Sequence, residues 1–263
     1  MNRPTWAPDD VDIDAPNAAR MYDYALGGSH NFEVDRALVE QAEASMPGAK
    51  RIAHDNRAFL RRVVRWLADA GIRQYLDIGS GIPTLGNVHE IARAAAPGSR
   101  VLYVDIDPVA VAHSRSLLAD DPAAHAIEGD LRDPDGILSH PEADLDLSRP
   151  VAVLLFAVLH FVGDDDDPAG LVRRLHDAVP AGSYLAISHG SPPPGRVEDA
   201  ENVSRIYRRT PSPLHLRTRE RILPLLGPFD LVEPGLVPVT DWHPDDPVDE
   251  RQEALLGAVA VRR

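Results

Sequence analysis

Apolar residues recur along this chain with two rhythms. Across 33–46 they fall at positions 34, 37, 38, 42 and 46, a helical period that Pro47-Gly48 stops. A second helix is expected over 51–70, with Ile52, Phe59, Leu60, Val63, Val64 and Leu67 as its stripe and Gly71 just past its end. Asn56 breaks that stripe, four residues from both Ile52 and Leu60. A hydrogen-bonded core amide and a ligand contact both fit such a position.

After Gly71 the rhythm shortens. Strands are expected over 74–78, 100–104, 124–128, 151–157, 184–188, 230–232 and 257–261, and helices over 86–96, 108–119, 168–179, 197–209 and 216–226. Alternating β and α units imply an α/β fold, a doubly wound, mostly parallel sheet with helices on both faces. Only a proline-rich connection joins the last two strands. That link is too short for a parallel crossover, so the sheet should end in an antiparallel pair at one edge. Residues 1–16, rich in Pro and Asp, are expected to form an irregular arm, 17–72 a helical lid, and 73–263 the main domain.

Composition narrows the function. The 263 residues can bury one large core, and a net charge of −14 disfavours a protein that grips a phosphate backbone, so no nucleic-acid partner is expected. The arginine clusters at 205–209 and 217–221 suit solvated helix faces. There is no cysteine, hence no disulfide and no thiolate chemistry. No run of eighteen apolar residues occurs, and the first residues carry no apolar signal segment. A cytoplasmic protein without a membrane partner is the expectation.

Candidate chemistry gathers at the carboxyl ends of the expected strands, where open parallel sheets bind ligands. The first strand runs into Asp77-Ile-Gly79-Ser80-Gly81, a tight glycine turn. The second ends in Asp105, placed to accept from the ribose hydroxyls of an adenosine cofactor. Asp107, followed by Pro108, has the form of a helix cap. Asp130 follows the third strand and could accept from an adenine amino group, with the Leu131 N–H meeting a ring nitrogen. Position 84, where a dinucleotide-binding turn carries its third glycine, holds Thr84, and Pro83 removes an N–H a phosphate could use. The balance tilts toward S-adenosylmethionine, a cofactor with adenosine and no phosphate, while the dinucleotide reading stays open. His160 and His189, each after a central strand, are candidate general bases, and a packed or hydrogen-bonded structural histidine fits each position as well. His89-Glu90 does not continue as H-E-x-x-H, and the 164–167 aspartate run lacks interleaved ligand geometry, so no metal is expected.

Several short blocks in order resemble the class I S-adenosylmethionine (SAM)-dependent methyltransferases. More narrowly, they resemble an actinobacterial family of S-adenosyl methyltransferases catalogued as a domain of unknown function. They are ARMYDYALGG (19–28) with Asn31, Phe32 and Asp35, DIGSGIPT (77–84) with NVHE (87–90), VDIDP (104–108), DLRDP (130–134) and AVLHF (157–161). The resemblance covers 16–263. It implies a Rossmann-like, seven-stranded sheet with SAM across the carboxyl ends of the first four strands. Asp77, Gly79 and Gly81 would border its methionine portion, Asp105 the ribose, and Asp130 with Leu131 the adenine, with Ser80 and Ile106 also in the cofactor site. Pro83 departs from the glycine most class I enzymes carry and is similar to the narrower family. The segment 20–32, with Tyr22, Gly28 and Asn31, has the look either of a loop folded over a ligand or of a structural lid that simply covers the sheet edge. Together with Asn56 and Arg57 it is expected to close the pocket. The resemblance implies methyl transfer to an unknown small-molecule acceptor. A SAM- or nucleoside-binding protein without catalysis remains an alternative. A nicotinamide-dependent oxidoreductase is weaker, since the single lysine, Lys50, precedes the sheet.

Overall fold

The structure, a computed structural model, describes residues 4, 6–8, 11–83, 86–247 and 253–263. Helices α1 (Ala18–Ala25), α2 (Glu33–Ser45) and α3 (Ala49–Asp69) precede the sheet. There follow β1 (Gln74–Ile78), α4 (Val88–Ala95), β2 (Arg100–Asp105), α5 (Pro108–Leu117), β3 (Ala124–Glu128), α6 (Pro134–Leu138), β4 (Ala152–Phe156), α7 (Pro168–Ala178) and β5 (Tyr184–Gly190). Helices α8 (Val197–Tyr207) and α9 (Arg219–Ile222) lead to the short β6 (Asp230–Leu231) and β7 (Val237–Pro238), and β8 (Leu255–Val261) completes the sheet.

The strand order is β3-β2-β1-β4-β5-β8, with β6 and β7 both paired to β8. Strands β1 to β5 are parallel, and β8 runs antiparallel to β5, β6 and β7. The antiparallel end agrees with expectation. The sheet has eight strands rather than seven because the segment before β8 contributes two short pieces. Between them the chain turns at Gly235, whose N–H bonds to the Val232 carbonyl at 2.8 Å.

Alternate strand residues feed two cores. Leu76, Leu102, Val153 and Leu185 pack on Leu171, Val172 and Leu175 of α7. Tyr75, Val101, Ala152 and Ala186 pack on Phe59, Val63 and Leu67 of α3. Both faces are covered, and the central β4 is accordingly an unbroken apolar run, Ala152–Phe156, buried throughout. Among the described residues no helix is long and apolar enough to cross a membrane.

The segment 20–32 differs from the expected loop, because its first part is α1. Asn17 caps that helix by accepting from the Ala19 N–H at 2.7 Å, and Met21 packs with Leu38 and Val39 of α2. The buried carboxylate of Asp35 accepts from the backbone N–H of Asn17 at 2.9 Å and of Phe32 at 2.8 Å, holding the starts of both helices. Eight residues are too few for a clear period, and Arg20 and Asp23 turn inward, which hides α1 in the pattern. Asp107 is a helix cap, as expected, accepting from Val109 N–H at 2.9 Å, and Asp133 before Pro134 caps α6 by accepting from Gly136 N–H at 3.1 Å.

Helix and sheet approach closely at Gly257 of β8. A Cβ there would stand 2.6 Å from the fully buried ring of Phe59, which also packs edge-on against Phe156 and Trp242. Gly257→Ala is expected to destabilise by about 1–3 kcal/mol through overpacking, read from the urea midpoint at unchanged m-value. An unchanged midpoint would show that α3 and β8 are packed more loosely than this.

Candidate active site

The strand order reverses at β1 and β4, whose following connections leave in opposite directions. A cavity of about 570 Å³ lies over the carboxyl ends there, walled by strand-end loops below and by α1, α2, α3, α8 and the segment 211–216 above. Tyr22, Asn56, Asp77, Gly79, Ser80, Gly81, Asp105, Ile106, Asp130, Leu131 and His160 all reach it.

The glycine turn folds back on β2. The N–H groups of Gly79 and Ser80 both bond to the Val104 carbonyl, at 2.8 and 3.1 Å, and Gly81 N–H donates to Asp105 Oδ2 at 2.7 Å. Gly79 has φ +73, and a Cβ on it would collide with Val158. At Gly81, φ +68, a Cβ would meet nothing within 4 Å, so the backbone itself borders the open space. Asp105 Oδ1 accepts from Asp107 N–H at 2.8 Å. A carboxylate offers about four acceptor sites, and the backbone N–H groups of Gly81, Ile106 and Asp107 do not use all of those of Asp105. Thr84 lies outside the described residues. The next helix, α4, starts only at Val88, so its N-terminus is not at the glycine turn where a pyrophosphate would need it.

Two buried carboxyls face this space. Burial raises Asp77 to about 7, against the lowering influence of Arg57, and raises Asp105 to about 6, against the N–H groups of Asp107 and Gly81. No described group hydrogen-bonds to the Asp77 carboxyl. Ile106 beside Asp105 is 48% exposed, an apolar side chain without cover. Asp130 is already engaged: it accepts from Arg132 Nε at 2.9 Å and pairs with Arg132 Nη2 at 2.7 Å. Burial works to raise its pKa, but the bonds from Arg132 outweigh it and hold the carboxyl low. The Leu131 side chain is in the core, leaving its backbone for any ligand.

Asn56 proves to be a core amide that also forms cavity wall. Its Oδ1 accepts from Ser188 Oγ at 2.7 Å, and its Nδ2 donates to the Tyr22 hydroxyl at 3.0 Å. Tyr22 in turn donates to the Ala53 carbonyl at 3.1 Å, and Ser188 Oγ accepts from Ala157 N–H at 2.8 Å. Ala157, just after β4, has φ +53, a left-handed conformation that this bond helps to hold.

Three expected site residues are elsewhere. Gly28 and Asn31 form a turn around Asp23: the Asn31 amide donates to Asp23 Oδ2 at 2.8 Å, and a Cβ on Gly28 would strike the same carboxylate. His189 is fully buried, its Nδ1 donating to the Gly190 carbonyl at 2.8 Å and its Nε2 accepting from Arg217 Nη1 at 3.0 Å. Burial pushes its pKa down to about 4. It anchors Arg217, which also grips Asp164 at 2.8 Å and the Val162 carbonyl at 2.8 Å, and it has no lone pair for an acceptor. His160 does line the cavity, yet its Nδ1 accepts from Gly190 N–H at 3.0 Å. A backbone N–H cannot reverse, so the neutral ring carries its proton on Nε2 and acts as a donor rather than a base. Burial also pushes its pKa well below the usual value.

The alternation of strands pointed to none of Arg132, Tyr207 and His215, because each comes from a loop or helix end. His215 is exposed at the cavity mouth, its N–H bonded to the His160 carbonyl at 2.8 Å. Among the described residues no group of three or more His, Asp or Glu is arranged to hold a metal.

The family model described as S-adenosyl methyltransferase matches residues 4–263. A candidate methyltransferase of Thermobifida fusca YX is 40% identical over 99% of this chain and 100% of that one, with a TM-score of 0.93. A DUF574 family protein from Streptomyces avermitilis MA-4680 is 41% identical over 96% and 100%, with a TM-score of 0.89. Human N-acetylserotonin methyltransferase, solved in complex with SAM, is 17% identical over 92% of this chain and 62% of that one, at a TM-score of 0.50, a likeness of fold alone. No curated protein matches the sequence.

Asn56→Leu would strip partners from the buried Ser188 and Tyr22 hydroxyls. Because Tyr22 still donates to Ala53 and Ser188 still accepts from Ala157, a total loss of about 1–3 kcal/mol is expected in urea denaturation. Wild-type stability in this variant would mean the relay contributes nothing.

Proposed function

The chain belongs to the S-adenosyl methyltransferase family, and from that premise we propose that SAM lies across the strand ends of this cavity. The observation that carries the placement is the pair of buried, cavity-facing carboxyls at consecutive strand ends, Asp77 and Asp105, with acceptor sites to spare. The residues fit a cationic, hydroxyl-bearing ligand without phosphate. Asp105 would accept from the ribose hydroxyls, Ile106 would cover an adenine face, and Asp130 with the Leu131 backbone would meet the adenine edge. The backbone of Gly79, Ser80 and Gly81 would border the methionine portion, with Asp77 facing its amino group.

When bound, SAM supplies a methyl group activated by a positive sulfur, which keeps the electron pair of the bond that breaks. The chain's own contribution is to orient and to exclude water. Tyr22 and Asn56 hold α1 and α3 over the strand ends, and the apolar side chains of α2 and α8 dry the space above. His160 Nε2–H would orient an oxygen rather than take its proton. Residues 17–72 act as the lid on the 73–263 methyltransferase domain. The acceptor is a small molecule, as the charge of −14 favours, and the setting is the cytoplasm of an actinobacterium.

Calorimetry tests the placement. Asp105→Ala is expected to weaken SAM by about 1–3 kcal/mol, the loss of bonds to a charged group. Unchanged affinity would remove Asp105 from the site, and NAD binding without a response to SAM would overturn the reading.

The pH dependence follows from the two raised carboxyls. The free protein holds protons at Asp105 and Asp77 up to about 6 and about 7, and a cationic ligand favours the ionised forms. SAM affinity should therefore rise with pH through 6 to 7 and then level, with proton release visible in buffers of different ionisation enthalpy. For the free fold the sign is reversed. Folded pKa values above the unfolded ones give stability that is present below about pH 4 and lost as pH rises through 6 and 7. Affinity flat across this window would contradict the assignment of both groups.

A further inference from the structure

The two walls of the cavity differ in chemistry. Its carboxylates and Arg132 come from strand-end loops: Asp77, Asp105, Asp130, Asp165 and Asp166. The upper wall contributes Met21, Val39, Met46, Ile52, Val203 and Leu214, and among the described residues no charged side chain except Arg57, next to Asp77. The apolar chamber between α1, α2 and α8 is therefore remote in kind from the carboxylates that suit a cofactor.

An uncommitted polar group stands in that chamber. Tyr207, on the last turn of α8, packs its ring 5.9 Å from Phe161 at a tilt of 32°. Its hydroxyl has no hydrogen-bond partner among the described residues, whereas the nearby Tyr22 hydroxyl is bonded on both sides. Burial pushes Tyr207 up to about 12, so it is a neutral donor at ordinary pH. Binding sites for small molecules are built in this way, with apolar lining and a few placed polar groups.

Resting on the cofactor placement above, we propose that this chamber is the acceptor site and that the acceptor is an uncharged, mainly apolar small molecule whose oxygen receives the Tyr207 hydroxyl. A carboxylate there would lose its water with five aspartates around the same cavity and only Arg57 and Arg132 to offset them. An ammonium would lie against an apolar wall with no carboxylate in it. A ring or alkyl body fills the space between α2 and α8 without either cost, and the Tyr207 hydroxyl fixes its orientation.

The test uses the full chain loaded with S-adenosylhomocysteine and titrated with 1-naphthol, 1-naphthoate and 1-naphthylmethylammonium. The naphthol should bind, with both charged isosteres at least tenfold weaker. Tyr207→Phe should weaken naphthol at least threefold, and Val203→Trp, which fills the chamber, should abolish its binding. SAM affinity, measured on the same samples, should stay within twofold in both variants, which also shows that they fold. No naphthol binding, isosteres that bind as well, or naphthol binding indifferent to both variants would overturn the proposal. Loss of SAM binding by the wild-type chain would instead overturn the cofactor placement.

Discussion

A single buried amide ties this molecule together. Asn56 sits in the middle of α3, 3% exposed, and its two ends reach opposite parts of the structure. Through Ser188 it holds β5 and the left-handed turn after β4, and through Tyr22 it holds the first helix of the lid. A polar group buried this deeply is costly unless every partner is in place. The same requirement makes the relay a register pin: α3 cannot slide along the sheet, nor α1 over α3, without leaving hydroxyls unpaired. One network thus spans cavity floor and cavity roof, alongside the apolar packing of α1 on α2 and of α3 on the sheet.

The chemistry of the cavity depends on that enclosure. Asp77 and Asp105 titrate near neutrality because the lid and the sheet take them out of water, and burial disfavours their charged forms. A ligand with positive charge and hydroxyl donors recovers that cost, which is why the site suits the cofactor its family uses. Arginine does different work here. Arg217 holds the loop after β4 by gripping Asp164, Val162 and His189, and Arg20 lies between Asp35 and Asp107, at 3.9 and 3.4 Å.

Much of the floor was legible because it is local. A glycine pair after a strand, an acid at the next strand's end and Asp-Pro before a helix each follow from backbone needs within a few residues. The structure therefore brings Asp77, Gly79, Ser80, Gly81, Asp105, Ile106, Asp130 and Leu131 to one cavity. The histidines were not legible. Whether His160 or His189 has a free lone pair depends on Gly190 and Arg217, 30 and 28 residues away in sequence. Gly28 and Asn31 misled for a related reason: a turn around a buried aspartate and a turn around a ligand use the same residue types. The Asn56 position was marked by its break in the apolar stripe, but its partners were not.

The sequence by itself determined the alternation of strands and helices, the carboxylates at the strand ends and the glycine turn between them, since each rests on short-range periodicity and local backbone geometry. Only the tertiary structure decided which histidine nitrogen carries a proton, that 18–25 is a helix, and that a neutral Tyr207 hydroxyl stands unpaired in an apolar chamber. Those properties belong to burial and to partners far along the chain, and such partners meet only when the lid closes on the sheet.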